Sequence, residues 1–325
     1  VADHDNGYKL LFSHAEMVAD LIRGFVHEDW VKNLDFSTLE KVGGSYVSDD
    51  LRRRESDMVW RVRWGRERWL YIYLLLEFQS TVDPFMAVRV MTYVGLLYQD
   101  LIRQRCFTPS GKLPPVLPLV LYNGGPAWDS ALDVSELVES LPGGLERYRP
   151  QLRYFLLDEG RIADSDLEPL QNLAAALFRL EKSRGTEDIQ RVVTALLGWL
   201  EDPRHAELKR AFAVWLVQVL LPIRVKGTPI PDVGDLQEVR SMLAERAVEW
   251  TRQWKREGHE EGREEGHEQA LAEARGVLVS ELEDRFGPLP AAVRDRVDGI
   301  DSIRALMELS VRVGKAPSLA ALGLP

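Results

Sequence analysis

Two rhythms of apolar residues divide the chain. In SDMVWRVRW, residues 56–64, Met58, Trp60, Val62 and Trp64 alternate with Asp57, Val59, Arg61 and Arg63, the period of two expected of a half-buried strand. Gly65, Arg66 and Glu67 supply a turn, and WLYIYLLLEFQS, residues 69–80, returns as a second strand. That strand is apolar on both faces, as the middle of a covered sheet requires. On either side the spacing changes to three or four. Leu10, Leu11, Met17, Val18, Leu21, Ile22 and Phe25 predict one or two N-terminal helices punctuated at Ser13 or His14. Met86, Val90, Tyr93, Val94, Leu97, Leu101 and Ile102 predict a helix from about Pro84 to Arg105. PPVLPLVLYNGG, 114–125, and LRYFLLD, 152–158, predict two further strands, the first ending in a turn former, Asn123. The expected fold class is α/β, a layered core over residues 1–160.

Beyond Gly160 the strand pattern stops. Segments 166–183, 186–201 and 205–221 carry helical periodicity, which makes 161–231 a helical extension. After the Pro- and Gly-rich VKGTPIPDVGD, residues 232–275 read as one long charged helix or linker, and 276–325 as a small helical module. Gly258, Gly262 and Gly266 repeat every four residues within the charged stretch. Each glycine costs a helix about 1 kcal/mol relative to alanine. The repeat therefore reads as a flexible linker or as a stripe for close helix approach, through which the chain would form a homo-oligomer. His259 and His267 lie among glutamates without a complete tetrahedral metal set.

Composition narrows the function. At 325 residues and 45% hydrophobic content the chain can bury a sizeable core. Its single cysteine, Cys106, excludes an intramolecular disulfide and any cysteine-based zinc cluster. No apolar run reaches the roughly 18 residues of a membrane span, no secretory signal is visible, and a cytoplasmic location is expected. A net charge of -10 opposes non-specific nucleic-acid binding by the molecule as a whole. The window 52–68 is the exception, with seven arginines against Glu55, Asp57 and Glu67. Such a stretch is either a phosphate-facing patch or a solvated strand edge.

If residues 64–69 connect the first two strands, antiparallel pairing brings Asp57, at the start of one, beside Glu77 and Gln79, at the end of the other. Period-two alternation also sets Glu77 and Gln79 on one face. Two carboxylates converging on a rigid apolar sheet would suit Mg²⁺ or Mn²⁺ and a substrate phosphate. Strand ends also carry charge simply where they meet solvent, and the spacing alone fits both readings.

The succession HDNGYKLLFSH, RESDMVWRV, the apolar strand, EFQS, MAVRVMTYVGLLYQ and PVLPLVLYNGG resembles the Rpn family of bacterial recombination-promoting nucleases and putative transposases. That family lies within the PD-(D/E)xK nuclease superfamily, and the resemblance covers residues 4–160. It implies a restriction-endonuclease-like core, a mixed sheet flanked by helices followed by an all-α C-terminal region. It also implies divalent-metal-dependent DNA endonuclease activity linked to recombination or mobile elements. Carried over by position, Asp57 and Glu77 become catalytic metal ligands, and Gln79 stands where the superfamily motif has lysine. A glutamine offers neutral hydrogen bonds in place of a charge. Asp5 matches a further acid and is a candidate metal ligand or helix N-cap. Arg52, Arg53, Arg54, Arg61, Arg63 and Lys9 are the candidate DNA contacts. The alternative is a catalytically silent nuclease fold acting as a DNA-binding or protein-interaction scaffold.

Overall fold

A computed structural model describes the chain except residues 1, 43–56, 66–67, 78–81, 142, 184, 225–229, 232, 315, 317 and 325. The side chains of residues 2–5, 57, 76–77 and 247–269 also lie outside the description. The chain divides into two compact units, Val1–Trp250 and Thr251–Pro325.

The first unit is built on a five-stranded mixed sheet of order β1-β2-β3-β4-β5. Its strands are β1 (Leu34–Lys41), β2 (Asp57–Trp64), β3 (Arg68–Glu77), β4 (Val116–Tyr122) and β5 (Phe155–Asp158). β1, β2 and β3 pair antiparallel; β3, β4 and β5 pair parallel. The hairpin turns at Gly65, whose φ of 61° favours a residue without a Cβ, and closes with Trp64 opposite Arg68. Helix α3 (Met86–Arg103) is the crossover between β3 and β4. Leu70 to Leu75 are each no more than 5% exposed, which accounts for the unbroken apolar run of this central strand. On one face Val59, Tyr71, Tyr73, Leu75, Val120 and Tyr122 pack against Met86, Val90, Tyr93 and Leu97 of α3, with Cys106 as a partly buried filler. Pro118 is tolerated inside β4. Tyr71 N–H bonds Pro115 O, so odd positions of β4 exchange with β3 and Pro118 turns toward β5, whose pairing begins only at Leu119.

Helices α1 (Ala2–Phe12) and α2 (Ala15–Phe25) pack on β3 and β1. The helices that follow the sheet dock onto this pair: α4 (Leu173–Glu181) on α2, α5 (Thr186–Trp199) on α4, and α6 (Ala206–Trp215) on α1. Asn172 caps α4 by accepting from Ala175 N–H at 2.9 Å, while its amide donates to Asp20 O of α2 at 2.7 Å. Leu173 N–H adds a bond to the Asp20 carboxylate at 2.7 Å, fixing the start of one helix on the flank of the other. After α6 the backbone widens into a π-helical turn, Leu216–Leu220. Among the described residues no helix is long and apolar enough to cross a membrane.

Three features differ from the expectations. β1 was not anticipated, because LDFSTLEK buries only Leu34 and Leu39 and so lacks a full alternating face. The strand expected over 152–158 joins the sheet only from Phe155, while Arg153 bridges Asp133 instead. The glycine repeat does not interrupt secondary structure: α7 runs as one backbone helix from Leu236 to Phe286. The expectation of assembly through its glycine stripe falls on side chains outside the described residues. The second unit has its own core, formed by Leu278 and Leu282 of α7, Val293 and Val297 of α8 (Ala291–Asp298), and Leu306 and Val313 of α9 (Ile303–Val313).

Gly7 marks a close helix contact. A Cβ there would lie 2.6 Å from Trp215 Cδ1 and 2.9 Å from Val219 Cγ2. Gly7→Ala is expected to destabilise the fold by about 1–3 kcal/mol, read as a lowered urea midpoint with unchanged m-value. An unchanged midpoint would mean that α1 and α6 slide apart without cost.

Candidate active site at the carboxyl edge of the sheet

The register of β2 and β3 decides where the acids lie. Asp57 is directly opposite Leu75, and Glu77 is two positions further along β3. Directly opposed residues share a face, as do residues two apart on a strand. Positions 57 and 77 therefore occupy the same sheet face, the one covered by α3, as neighbours on a diagonal about 7–8 Å apart. Glu77 also ends the parallel ladder, opposite Tyr122. In parallel α/β sheets the carboxyl ends of the strands are the usual location of binding sites.

This donor set fits a hard divalent cation: two acidic positions on one face, carried by hydrogen-bonded strands. Among the described residues no group of three or more His, Cys, Asp or Glu could hold a metal. Gln79 and Arg52, Arg53 and Arg54 lie outside the described residues. Asp5 sits on α1, which packs on β3, and its side chain lies outside the described residues. Lys9 is half-buried in the last turn of the same helix.

Arg61 and Arg63 share the face of Asp57 but not its end of the strand. Arg63 is six residues away, about 20 Å at the rise of a strand. Both guanidinium groups lie over the Trp69 ring, at 4.6 and 4.5 Å from its centroid, and Arg61 Nε donates to Glu40 at 2.6 Å. They build a cationic corner at the hairpin, separate from the acids.

A second polar cluster at the carboxyl edge escaped the sequence reading. Tyr8 of α1 donates to Glu159 Oε2 at 2.7 Å; Asn123, just after β4, donates to Tyr8 Oη at 3.0 Å and to Glu181 Oε2 at 2.7 Å. Tyr8 and Glu159 are almost wholly buried. Burial, followed by the nearby charge of Glu181, holds the Glu159 carboxyl well above its ordinary range; the Tyr8 hydrogen bond and Lys182 oppose this less strongly. The Tyr8 hydroxyl is likewise pushed up, by burial first and then by the two glutamates. The cluster ties α1 to the ends of β4 and β5, next to the strand that ends in Glu77. One signal was available: LRYFLLDEG repeats the pattern of an apolar strand running into an acid. Nothing in the spacing, however, joins Tyr8 to residues more than a hundred positions away.

The architecture defines an α/β protein whose mixed sheet carries an acidic pair on one face at its carboxyl edge. The YhgA-like putative transposase family matches residues 2–209, and the chain belongs to that family. It is 32% identical over 121 residues to the recombination-promoting nuclease RpnD of Escherichia coli O157:H7, covering 37% of this chain and 45% of that protein. It is 31% identical over 121 residues to RpnA of Escherichia coli strain K12, covering 37% and 40%. A third relative, the putative inactive recombination-promoting nuclease-like protein YjiP of strain K12, is 33% identical over 90 residues, covering 28% of this chain and 86% of the relative. The chain thus matches less than half the length of RpnD and RpnA. No solved structure matches it.

The buried cluster generates a pH prediction. An unfolded glutamate ionises near its ordinary value of 4.5, whereas folded Glu159 keeps its proton to higher pH. Its raised folded pKa therefore contributes stability that is full below that value and is lost as pH rises toward the folded pKa. Glu159→Gln, which cannot ionise, should gain stability relative to the wild type as pH rises from about 5. Tyr8→Phe should cost about 1–3 kcal/mol, because Asn123 and Glu159 each lose a buried partner. Parallel stability–pH profiles for wild type and Glu159→Gln would contradict the assignment.

Proposed function

We propose that the chain is a divalent-metal-dependent DNA endonuclease of the PD-(D/E)xK type, serving recombination or a mobile element. The observation that carries this reading is the shared face of positions 57 and 77 at the carboxyl edge of the sheet. The names of RpnD and RpnA support it. In the reaction, water adds to the phosphorus of a phosphodiester and the bond to one sugar oxygen breaks, the water's proton ending on the departing oxygen or in solvent. Asp57 and Glu77 would hold Mg²⁺ or Mn²⁺, which when bound acidifies water and offsets charge on the phosphate. Asp5 is a third candidate ligand.

The chain's own residues then position the reactants. The carboxamide of Gln79 accepts a hydrogen bond from the attacking water and thereby orients it. Arg61 and Arg63 face a duplex about 13 and 20 Å from the acids, or about four and six base pairs at 3.4 Å of rise each, so they fix register on the DNA without touching the reacting group. Arg52, Arg53, Arg54 and Lys9 add further cationic contacts.

A silent scaffold is the second reading, favoured by the neutral residue at position 79 and by the inactive label of YjiP. Nicking of supercoiled plasmid in Mg²⁺ or Mn²⁺ separates the two. Under the nuclease reading the wild type cuts, EDTA stops it, and Asp57→Asn and Glu77→Gln each lower the rate by at least about 10²-fold while remaining folded. A folded wild type that binds DNA but does not cut under any divalent ion would establish the scaffold instead.

A further inference from the structure

The outer side of helix α3 is uncharged where a surface helix normally meets water with charge. Met86, Val90, Tyr93, Leu97 and Leu101 turn inward and are buried. The opposite side carries Phe85, Val88, Thr92, Gly95, Gln99 and Ile102, all exposed. Phe85 stands just ahead of the helix, its carbonyl accepting from the Val88 and Arg89 N–H groups. Phe85, Val88 and Ile102 are 62%, 38% and 50% exposed, large apolar side chains left in water. The row advances by alternate steps of three and four residues, the a and d spacing of a coiled-coil seam. Half-buried Met91, Leu96 and Tyr98 border it and widen the apolar face.

The middle of the row is built for close approach. Gly95 lies in the interior of the helix, where a glycine weakens it relative to alanine. A Cβ at Gly95 would meet nothing within 4 Å, so no contact inside the chain asks for glycine, in contrast to Gly7 under Trp215. A second helix laid on this face does ask for it, because the missing side chain lets the two backbones come together. Thr92, the neighbouring position of the row, donates its hydroxyl to Val88 O at 2.9 Å and so enters a dry seam already satisfied.

We propose that α3 is a dimerisation seam that pairs antiparallel with α3 of a second copy of this chain across a two-fold axis. The row is complementary to its own reverse. With the axis midway between Thr92 and Gly95, Phe85 meets Ile102, Val88 meets Gln99 and Thr92 meets Gly95, large against large at the ends and small against small at the centre. The charges at the ends agree. Asp83, ahead of the helix and 27% exposed, comes level with Arg103 and Arg105 at the far end of the other copy, both exposed. A parallel pair would instead set Gly95 against Gly95, leaving a gap, and Arg103 against Arg103. The seam is independent of the nuclease reading.

The test is sedimentation equilibrium of the full chain without DNA, at concentrations up to about 100 µM. The wild type should show a monomer–dimer equilibrium. Gly95→Glu and Val88→Lys should each raise the dimer Kd by at least about 10²-fold, because each places two charges in a dry seam. Their urea midpoints in dilute solution should be unchanged or higher, since both positions face water in the monomer and replacing glycine favours the helix. Adding Gln99→Glu to Val88→Lys should recover about tenfold or more of the lost affinity. Positions 88 and 99 are about 16 Å apart on one helix, so they meet only between copies. A wild type that stays monomeric at about 100 µM would overturn the second copy as occupant of this face. A dimer indifferent to Gly95→Glu would place assembly elsewhere and overturn the seam, and loss of the dimer without rescue by Gln99→Glu would overturn the antiparallel pairing.

Discussion

The β2–β3 ladder is the constraint on which the site depends. Eight consecutive antiparallel partners, from Asp57 opposite Leu75 to Trp64 opposite Arg68, leave no freedom in which residue faces which. A slip of one residue would move Glu77 to the face opposite Asp57 and expose Val59, Tyr71 and Tyr73 in place of residues meant for the other side. The register is held because both faces of β3 are buried, so a slip would lose apolar contacts on both. Hydrophobic burial that stabilises the sheet thus also sets the spacing of two acids at its edge.

The crossover then adds a third dimension. Helix α3 can leave the end of β3 and rejoin the sheet at β4 only by running back over the strands, which brings its first turns above the acidic positions. On the other face, α1 is tied to the same edge by the Tyr8, Asn123, Glu159 and Glu181 network. The carboxyl edge is therefore fixed from both sides, by apolar packing under α3 and by a buried polar cluster under α1. The helices that follow the sheet reinforce α1 and α2, with Gly7 allowing α1 to approach Trp215 closely.

Local pairing was legible in the sequence, and long-range packing was not. The alternation of DMVWRVRW and the apolar run after it predicted the hairpin, and the hairpin alone implied that positions 57 and 77 lie at the same end of it. The crossover helix was visible from Met86, Val90 and Tyr93. β1 escaped because an edge strand with only Leu34 and Leu39 buried leaves almost no pattern. The charged stretch read as one long helix or linker, and the α7 backbone continues through the glycine repeat as a helix. Tyr8 carried no signal, since its hydrogen-bond partners lie more than a hundred positions away in the chain.

The most direct test of the acid pair as one site is the anomalous difference map of a crystal soaked in Mn²⁺ at a concentration that supports cleavage. A single strong peak within about 2.0–2.3 Å of carboxylate oxygens from both Asp57 and Glu77 is the predicted result. A peak elsewhere on the chain, or coordination by only one of the two acids, would contradict it.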